Sequence, residues 1–213
     1  QHNTRGMLVF ANRPRLRELP PQMHILGASV THLDLSNCGL SELPTLGSMK
    51  LQKLYLSKNN FEHFPTVLLT VAGADLRVID MGHNQLRSIP DAFAQLSKLE
   101  QILLEYNQIE TICDLDHMTN LQVLELTDNN LKSLPLSISR LSKLWRLRVK
   151  ANPLVNIPPD VFQGGVQAIK AYFADSTANL PIPASCFVSD IKRANEEDDA
   201  DVVIRCDAAA FEA

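Results

Sequence analysis

Residues 121–135 read LQVLELTDNNLKSLP, and their leucines keep neither helical nor strand time. Leu121, Leu124, Leu126, Leu131 and Leu134 are spaced three, two, five and three. An amphipathic helix repeats its apolar positions at three and four, and a half-buried strand at two. The stretch therefore belongs to neither element alone. Reduced to L-x-x-L-x-L-x-x-N-x-L, it recurs as VTHLDLSNCGL (30–40), LQKLYLSKNNF (51–61), LRVIDMGHNQL (76–86), LEQILLEYNQI (99–109) and LWRLRVKANPL (144–154). The copies start at 30, 51, 76, 99, 121 and 144, separated by 21, 25, 23, 22 and 23 residues. Self-similarity at such a period marks a solenoid. A degenerate earlier copy is expected, with Val9, Ala11, Leu16 and Leu19 at its core positions.

The spacing has a physical reading. Each copy predicts a short strand over x-L-x-L-x, where alternation puts two leucines on one face. The asparagine at the ninth position (Asn59, Asn84, Asn107, Asn129, Asn152) has a side chain that both donates and accepts. Stacked copies can use it to hydrogen-bond the turning backbone of their neighbours as a buried ladder. Cys38, a weak donor, takes this place in the first full copy. One coil cannot bury its own leucines, so neighbours must stack into a continuous core.

These residues resemble leucine-rich repeats. The second halves LKSLPLSISRLSK (131–143) and LRSIPDAFAQLSK (86–98) resemble the intracellular subtype of Ras-suppressor-like scaffolds and Roco proteins. Their proline lacks a backbone donor, so it ends pairing and starts the convex segment. IETICDLDHMTN (109–120) instead resembles the phosphatase-regulator subtype, with Ile112, Leu115 and Met118 at helical threes. The longest repeat predicts an extended convex loop around Val71–Ala74.

The fold implied is α/β: a leucine-rich repeat solenoid, a curved horseshoe. It has a parallel β-sheet on its concave face and short helical or 3-10 segments on its convex face. Residues 1–29 are expected as a strand-bearing N-terminal capping repeat and 30–165 as six repeats. Residues 166–190 are expected as a C-terminal capping helix and extended segment, and 191–213 as an acidic tail or the start of a further segment. NPLVNIPPDVFQGGVQAIKAYFAD (152–175) resembles the closing segment of intracellular leucine-rich proteins, and Val166, Ile169, Tyr172 and Phe173 fall on one helical face. The run ANEEDDAD (194–201) has the composition of a solvated linker or tail.

Composition narrows the function. A net charge of −4 argues against a general nucleic-acid binder, which carries a basic surplus. No apolar run reaches the length of a membrane-spanning helix. Cys38, Cys113, Cys186 and Cys206 are widely separated, no Asn-x-Ser/Thr sequon occurs, and both facts favour a cytoplasmic, intracellular chain. No P-loop, HExxH, GxSxG or kinase signature is present, and no cofactor is implied. Cys113 and His117 lie near Asp114 and Asp116, but no second ligand pair accompanies them, so no metal site is expected. Cys113 reads as a buried small apolar residue.

The candidate site is the outward face of the strands. It comprises Lys53, Tyr55, Val78, Asp80, Gln101, Leu103, Glu105, Tyr106, Val123, Glu125, Asp128, Trp145, Arg146 and Arg148. Val78, Leu103 and Val123 place apolar groups on a face expected to be wet. Glu105, Glu125 and Asp128 form an acidic centre, with Lys53, Lys58, Arg77 and His83 to one side. Trp145, Arg146, Arg148 and Lys150 form a basic, aromatic end, and Trp145 could instead pack at the strand edge against the cap. Tryptophan, tyrosine and arginine are the types enriched at binding hot spots.

The function expected is a non-catalytic scaffold or adaptor that binds a protein partner through its concave sheet and is monomeric on its own. The alternatives are a recognition segment of a multidomain enzyme (Roco GTPase, kinase or ubiquitin ligase) and a structural subunit of a large assembly.

Overall fold

A computed structural model describes residues 6–70 and 74–175. Seven strands of three residues each form one parallel sheet in chain order. They are β1 (Met7–Val9), β2 (His32–Asp34), β3 (Lys53–Tyr55), β4 (Val78–Asp80), β5 (Gln101–Leu103), β6 (Val123–Glu125) and β7 (Arg146–Arg148). Every pair is in repeat register: Leu33, Leu54, Ile79, Ile102, Leu124 and Leu147 lie side by side. The first five of these are completely buried. This is a leucine-rich repeat solenoid, as the spacing implied.

The asparagine ladder is present and complete. The Asn84 Nδ2 donates to Leu56 O and Met81 O, each at 3.0 Å, while its Oδ1 accepts from Phe61 N at 3.1 Å. Asn129 repeats the pattern with Leu104 O, Leu126 O and Ile109 N, and Asn59, Asn107 and Asn152 do the same on their own coils. Each amide thus ties its own coil to the preceding one. At the first rung the Cys38 Sγ contacts Phe10 O at 3.2 Å, which keeps the link without an amide.

One residue before each rung the backbone is left-handed. Asn12, Asn37, Lys58, His83, Tyr106, Asp128 and Ala151 all have φ between 54° and 62°. Their N–H groups continue the parallel pairing beyond the strands: Tyr106 N donates to Thr127 O and Asp128 N to Lys150 O. The residue types at this position carry no glycine signal, so the sequence does not reveal the turn.

Convex segments begin where proline was expected to start them. Pro65, Pro90 and Pro135 precede the 3-10 turns Thr66–Leu69, Asp91–Gln95 and Leu136–Arg140, and Pro158 precedes a helix. Two expectations need correction. Residues 109–120 form no helix: Thr111 bridges Ser88, Asp114 accepts from Asp116 N, and Ser137 Oγ accepts from Leu115 N. Side chains there satisfy the backbone that a helix would have satisfied internally, and Leu115 and Met118 still reach the core. The degenerate first copy is also set one residue earlier than Val9 and Ala11 implied. Leu8 pairs with Leu33, so Leu8 and Phe10 pack against the core while Val9 is 49% exposed. A one-residue slip exchanges the two faces of a strand, and Phe10 fills the core better than Ala11.

The last coil is covered by α1 (Pro159–Gln163) and α2 (Gly165–Ala174), joined at Gly164, with Gly165 at φ 81° opening α2. Val166, Ile169 and Phe173 are buried, Tyr172 is half-buried, and Lys170 Nζ donates to Leu141 O. The loop expected around Val71–Ala74 falls mostly outside the described residues, as do the acidic run 194–201 and the extended segment before it.

Replacing Asn129 with Ala leaves Ile109 N–H without its partner and removes one of two side-chain donors from each of Leu104 O and Leu126 O, which keep Asn107 Nδ2 and Asn152 Nδ2. The expected loss is about 2 kcal/mol or more of unfolding free energy, with the strand signal otherwise intact at low denaturant. Urea unfolding followed by circular dichroism measures it; an unchanged midpoint would show that the ladder is ornamental.

Candidate functional site

Alternation within each three-residue strand leaves the first and third side chains on the concave face. Lys53 and Tyr55, Val78 and Asp80, Gln101 and Leu103, Val123 and Glu125, Arg146 and Arg148 therefore occupy matched columns on β3 to β7. Glu105, Tyr106 and Asp128 lie in the turns that follow, and Trp145 directly precedes β7. The face is not uniformly wet. Val78 and Val123 are only 8% and 7% exposed, shielded by their neighbours on the sheet.

A groove of about 490 Å³ lies across β5, β6 and β7. Its lining comprises Gln101, Leu103, Glu105, Tyr106, Val123, Glu125, Thr127, Trp145, Arg146 and Arg148. All but Thr127 were anticipated. Thr127 carried no signal beyond its column, since a lone threonine is common on any polar face. Lys53, Tyr55, Val78, Asp80 and Asp128 share the sheet face or its turns but do not line the groove. Trp145 is 62% exposed and Tyr106 50%, so Trp145 stands open on the groove wall and is not packed under the cap. Tyr106 is stacked on His83, with ring centroids 4.3 Å apart and planes 13° from parallel.

The acidic centre and basic end are not separate patches. Glu125 is almost wholly buried, and its Oε1 accepts from Arg146 Nε at 2.8 Å and lies 3.4 Å from Arg148 Nε. Burial pushes its carboxyl above the usual range, and the two arginines oppose that shift. Arg77 is likewise engaged, with Glu100 of the next repeat, beside a similar Lys98–Asp75 pair. Exposed pairs of this kind add little stability.

Glu105 and Asp80 are different. Burial is the largest influence on both and raises both carboxyls above their ordinary values. A backbone hydrogen bond from Gly82 N to Asp80 Oδ1 at 3.0 Å partly offsets this for Asp80. Tyr55 is raised too, first by burial and then by Asp80 and Asp34. Among the described residues no group of three potential ligands could hold a metal ion. Cys113 is 6% exposed, and burial pushes its thiol up to about 11.

A leucine rich repeat family model matches residues 49–109, and a second matches 29–49 and 120–141. The chain is built of leucine-rich repeats. Chaoptin of Tribolium castaneum is 36% identical over 86 residues, which are 39% of this chain and 11% of that protein. Leucine-rich repeat serine/threonine-protein kinase 1 of Mus musculus is 33% identical over 100 residues, 45% of this chain and 5% of that protein. The chain thus spans a small part of the curated relatives it matches. Among solved structures, a Leptospira interrogans LRR protein superposes with a TM-score of 0.57 at 26% identity, covering 69% of this chain and 43% of that one. The plant peptide hormone receptor RGFR1, in complex with RGF2, superposes with a TM-score of 0.51 at 28% identity, covering 63% and 26%. In the repeats and their sheet this chain is similar to both.

Two outcomes test the chemistry of the site. Glu105 has a raised folded-state value, so its contribution to stability is full below its unfolded value and is lost as pH rises through the folded one. Glu105→Gln is therefore expected to melt higher than the parent at pH 8 and to lose that advantage at pH 4. Equal differences at both pH values would contradict the assignment. The Cys113 thiol should label far more slowly in the native protein at pH 8 than in urea, with peptide mass spectrometry locating the label. Fast native labelling would expose the thiol as reactive.

Proposed function

We propose that this chain is a non-catalytic scaffold or adaptor that binds a protein partner through its concave sheet. The observation carrying this reading is the groove across β5, β6 and β7, flanked by the exposed rings of Tyr106 and Trp145. Large aromatic rings left open beside arginines are the ingredients of a binding hot spot. The sheet beneath them is held by the asparagine ladder, so little conformational freedom is lost on binding. Paired charges at its end would orient an incoming partner. The receptor RGFR1, solved with RGF2, offers a related solenoid in complex with a ligand.

Finer points belong to the same proposal. The proline before the turns Thr66–Leu69, Asp91–Gln95 and Leu136–Arg140 supports the intracellular repeat subtype of Ras-suppressor-like and Roco proteins, while the phosphatase-regulator-like reading of residues 109–120 rests on the spacing of Ile112, Leu115 and Met118 alone. The separated cysteines, with Cys38 and Cys113 free and buried, support a cytoplasmic location. A second reading is a recognition segment of a multidomain enzyme. The match to a mouse protein kinase, of which this chain spans 5%, favours it.

Affinity purification from the cells that express the protein tests the surface. The bait is compared with a variant carrying Leu103→Glu, Trp145→Ala and Arg148→Glu, first shown to fold normally. A partner captured by the parent and lost by the variant is the expected result. Equal capture by both would move the binding surface to the convex side or to the helical end.

A further inference from the structure

The two ends of the solenoid are closed differently. Beyond β7 the last coil lies under α1 and α2, and Val166, Ile169 and Phe173 of α2 are buried. Beyond β1 the described residues supply no such cover: β1 is the first strand of the sheet and pairs only with β2. Phe10 N and Asn12 N donate to Asp34 O and Ser36 O of that neighbouring coil, each at 2.8 Å, so the other edge of the first coil faces outward. A capping coil ordinarily turns a polar face to the outside. This one does not. Ile25, in the 3-10 stretch Pro21–Ser29, is 72% exposed, the most of any large apolar residue described, and Leu26, Met7 and Val9 are exposed with it. Half of the exposed large apolar side chains of the described residues thus sit on this single coil.

The same coil is basic. Residues 1–29 contain four arginines and a single acid, Glu18, in a chain of net charge −4. Arg13, Arg15 and Arg17 are exposed, and among the described residues none of them enters an ion pair. Arg77, Arg140, Arg146 and Arg148 all do. The backbone under the three is pinned: Leu16 N donates to Arg13 O at 2.8 Å, and Arg17 N to Cys38 O at 3.1 Å. The Arg13 guanidinium stands 5.8 Å from the centre of the Phe10 ring, which shields the end of the core without neutralising the charge. Neighbouring strands are about 4.8 Å apart, so a coil is one thin layer, and its basic and apolar groups lie at nearly one height.

A flat surface laid against this end meets both kinds of group. A second copy of the chain would set arginines against arginines. A nucleic acid would match the charge but leave the aliphatic side chains in water. An acidic protein would answer the arginines, yet the described residues of this coil expose none of the aromatic anchors that dominate protein interfaces. A bilayer with anionic headgroups answers both, with charge for the guanidinium groups and an apolar phase for short aliphatic side chains. We propose that the first coil docks on an anionic membrane surface, with Ile25 and Leu26 entering the headgroup boundary and Arg13, Arg15 and Arg17 holding the headgroups. The sheet then extends away from the membrane strand by strand, and the groove across β5, β6 and β7 stays open to a soluble partner. The proposal stands apart from the concave-surface reading and does not depend on it.

Vesicle flotation of the 213-residue chain tests it, with phosphatidylcholine vesicles prepared with and without phosphatidylserine. The chain is expected to float with the anionic vesicles and not with the neutral ones, and added salt should weaken the binding. Each arginine near the surface contributes roughly fivefold, so Arg13→Gln, Arg15→Gln and Arg17→Gln combined should abolish flotation. Ile25→Ser with Leu26→Ser should weaken it at unchanged net charge. Arg87→Gln, which removes an exposed arginine from a different coil, should leave it as it was. All the substituted side chains are exposed, and each variant is first matched to the parent in thermal melting. No flotation of the parent, unchanged flotation of the arginine or the Ile25 and Leu26 variant, or an equal loss in Arg87→Gln overturns the proposal. Retention of the parent on immobilised polyglutamate without flotation on anionic vesicles also overturns it and assigns the arginines to an acidic protein.

Discussion

A coil of this solenoid leaves the sheet after three residues, and the backbone it turns away has no ladder to join. The asparagine amide resolves that problem. It donates to carbonyls of its own coil and the preceding one, and it accepts from the N–H where the preceding coil departs. Because the same bonds recur at Asn59, Asn84, Asn107, Asn129 and Asn152, neighbouring coils are held at one spacing and one register. The leucine core follows from that. Leu54, Ile79, Ile102 and Leu124 can stack without voids only if every strand begins at the same height.

The concave face inherits this order. Its columns are as regular as the core, so charges on different repeats meet in predictable places. Glu125 is flanked by Arg146 and Arg148 because register puts the third residue of β6 beside β7. Glu105 lies over Gly82 because both occupy the position after the last strand leucine of their repeats. Site chemistry here is a matter of comparing equivalent positions across coils.

That regularity explains what could be read from sequence. The strands, the ladder and the outward columns follow from a repeated pattern in which each copy confirms the others. Features specific to one copy were harder. The first strand was displaced by one residue because Val9 and Ala11 mimic the alternation that Leu8 and Phe10 satisfy. Residues 109–120 carry helical spacing but use Asp114 and Ser137 to satisfy an extended backbone. The pairing of Glu125 with two arginines, the leaning of Glu105 and the openness of Trp145 depend on side-chain orientation, which a column assignment does not contain.

The ladder also makes one repeat interchangeable with another. Asn107 meets the coil before it with the same donors and acceptors that Asn129 uses one step later. A segment running from one template leucine to the next, such as 121–143, could be duplicated or excised with the rungs on either side still meeting a matching surface. Lengthening the sheet therefore asks for no new fold, only another rung. The length of the concave face is set by the number of units stacked, while its chemistry is written separately in the few outward residues of each copy.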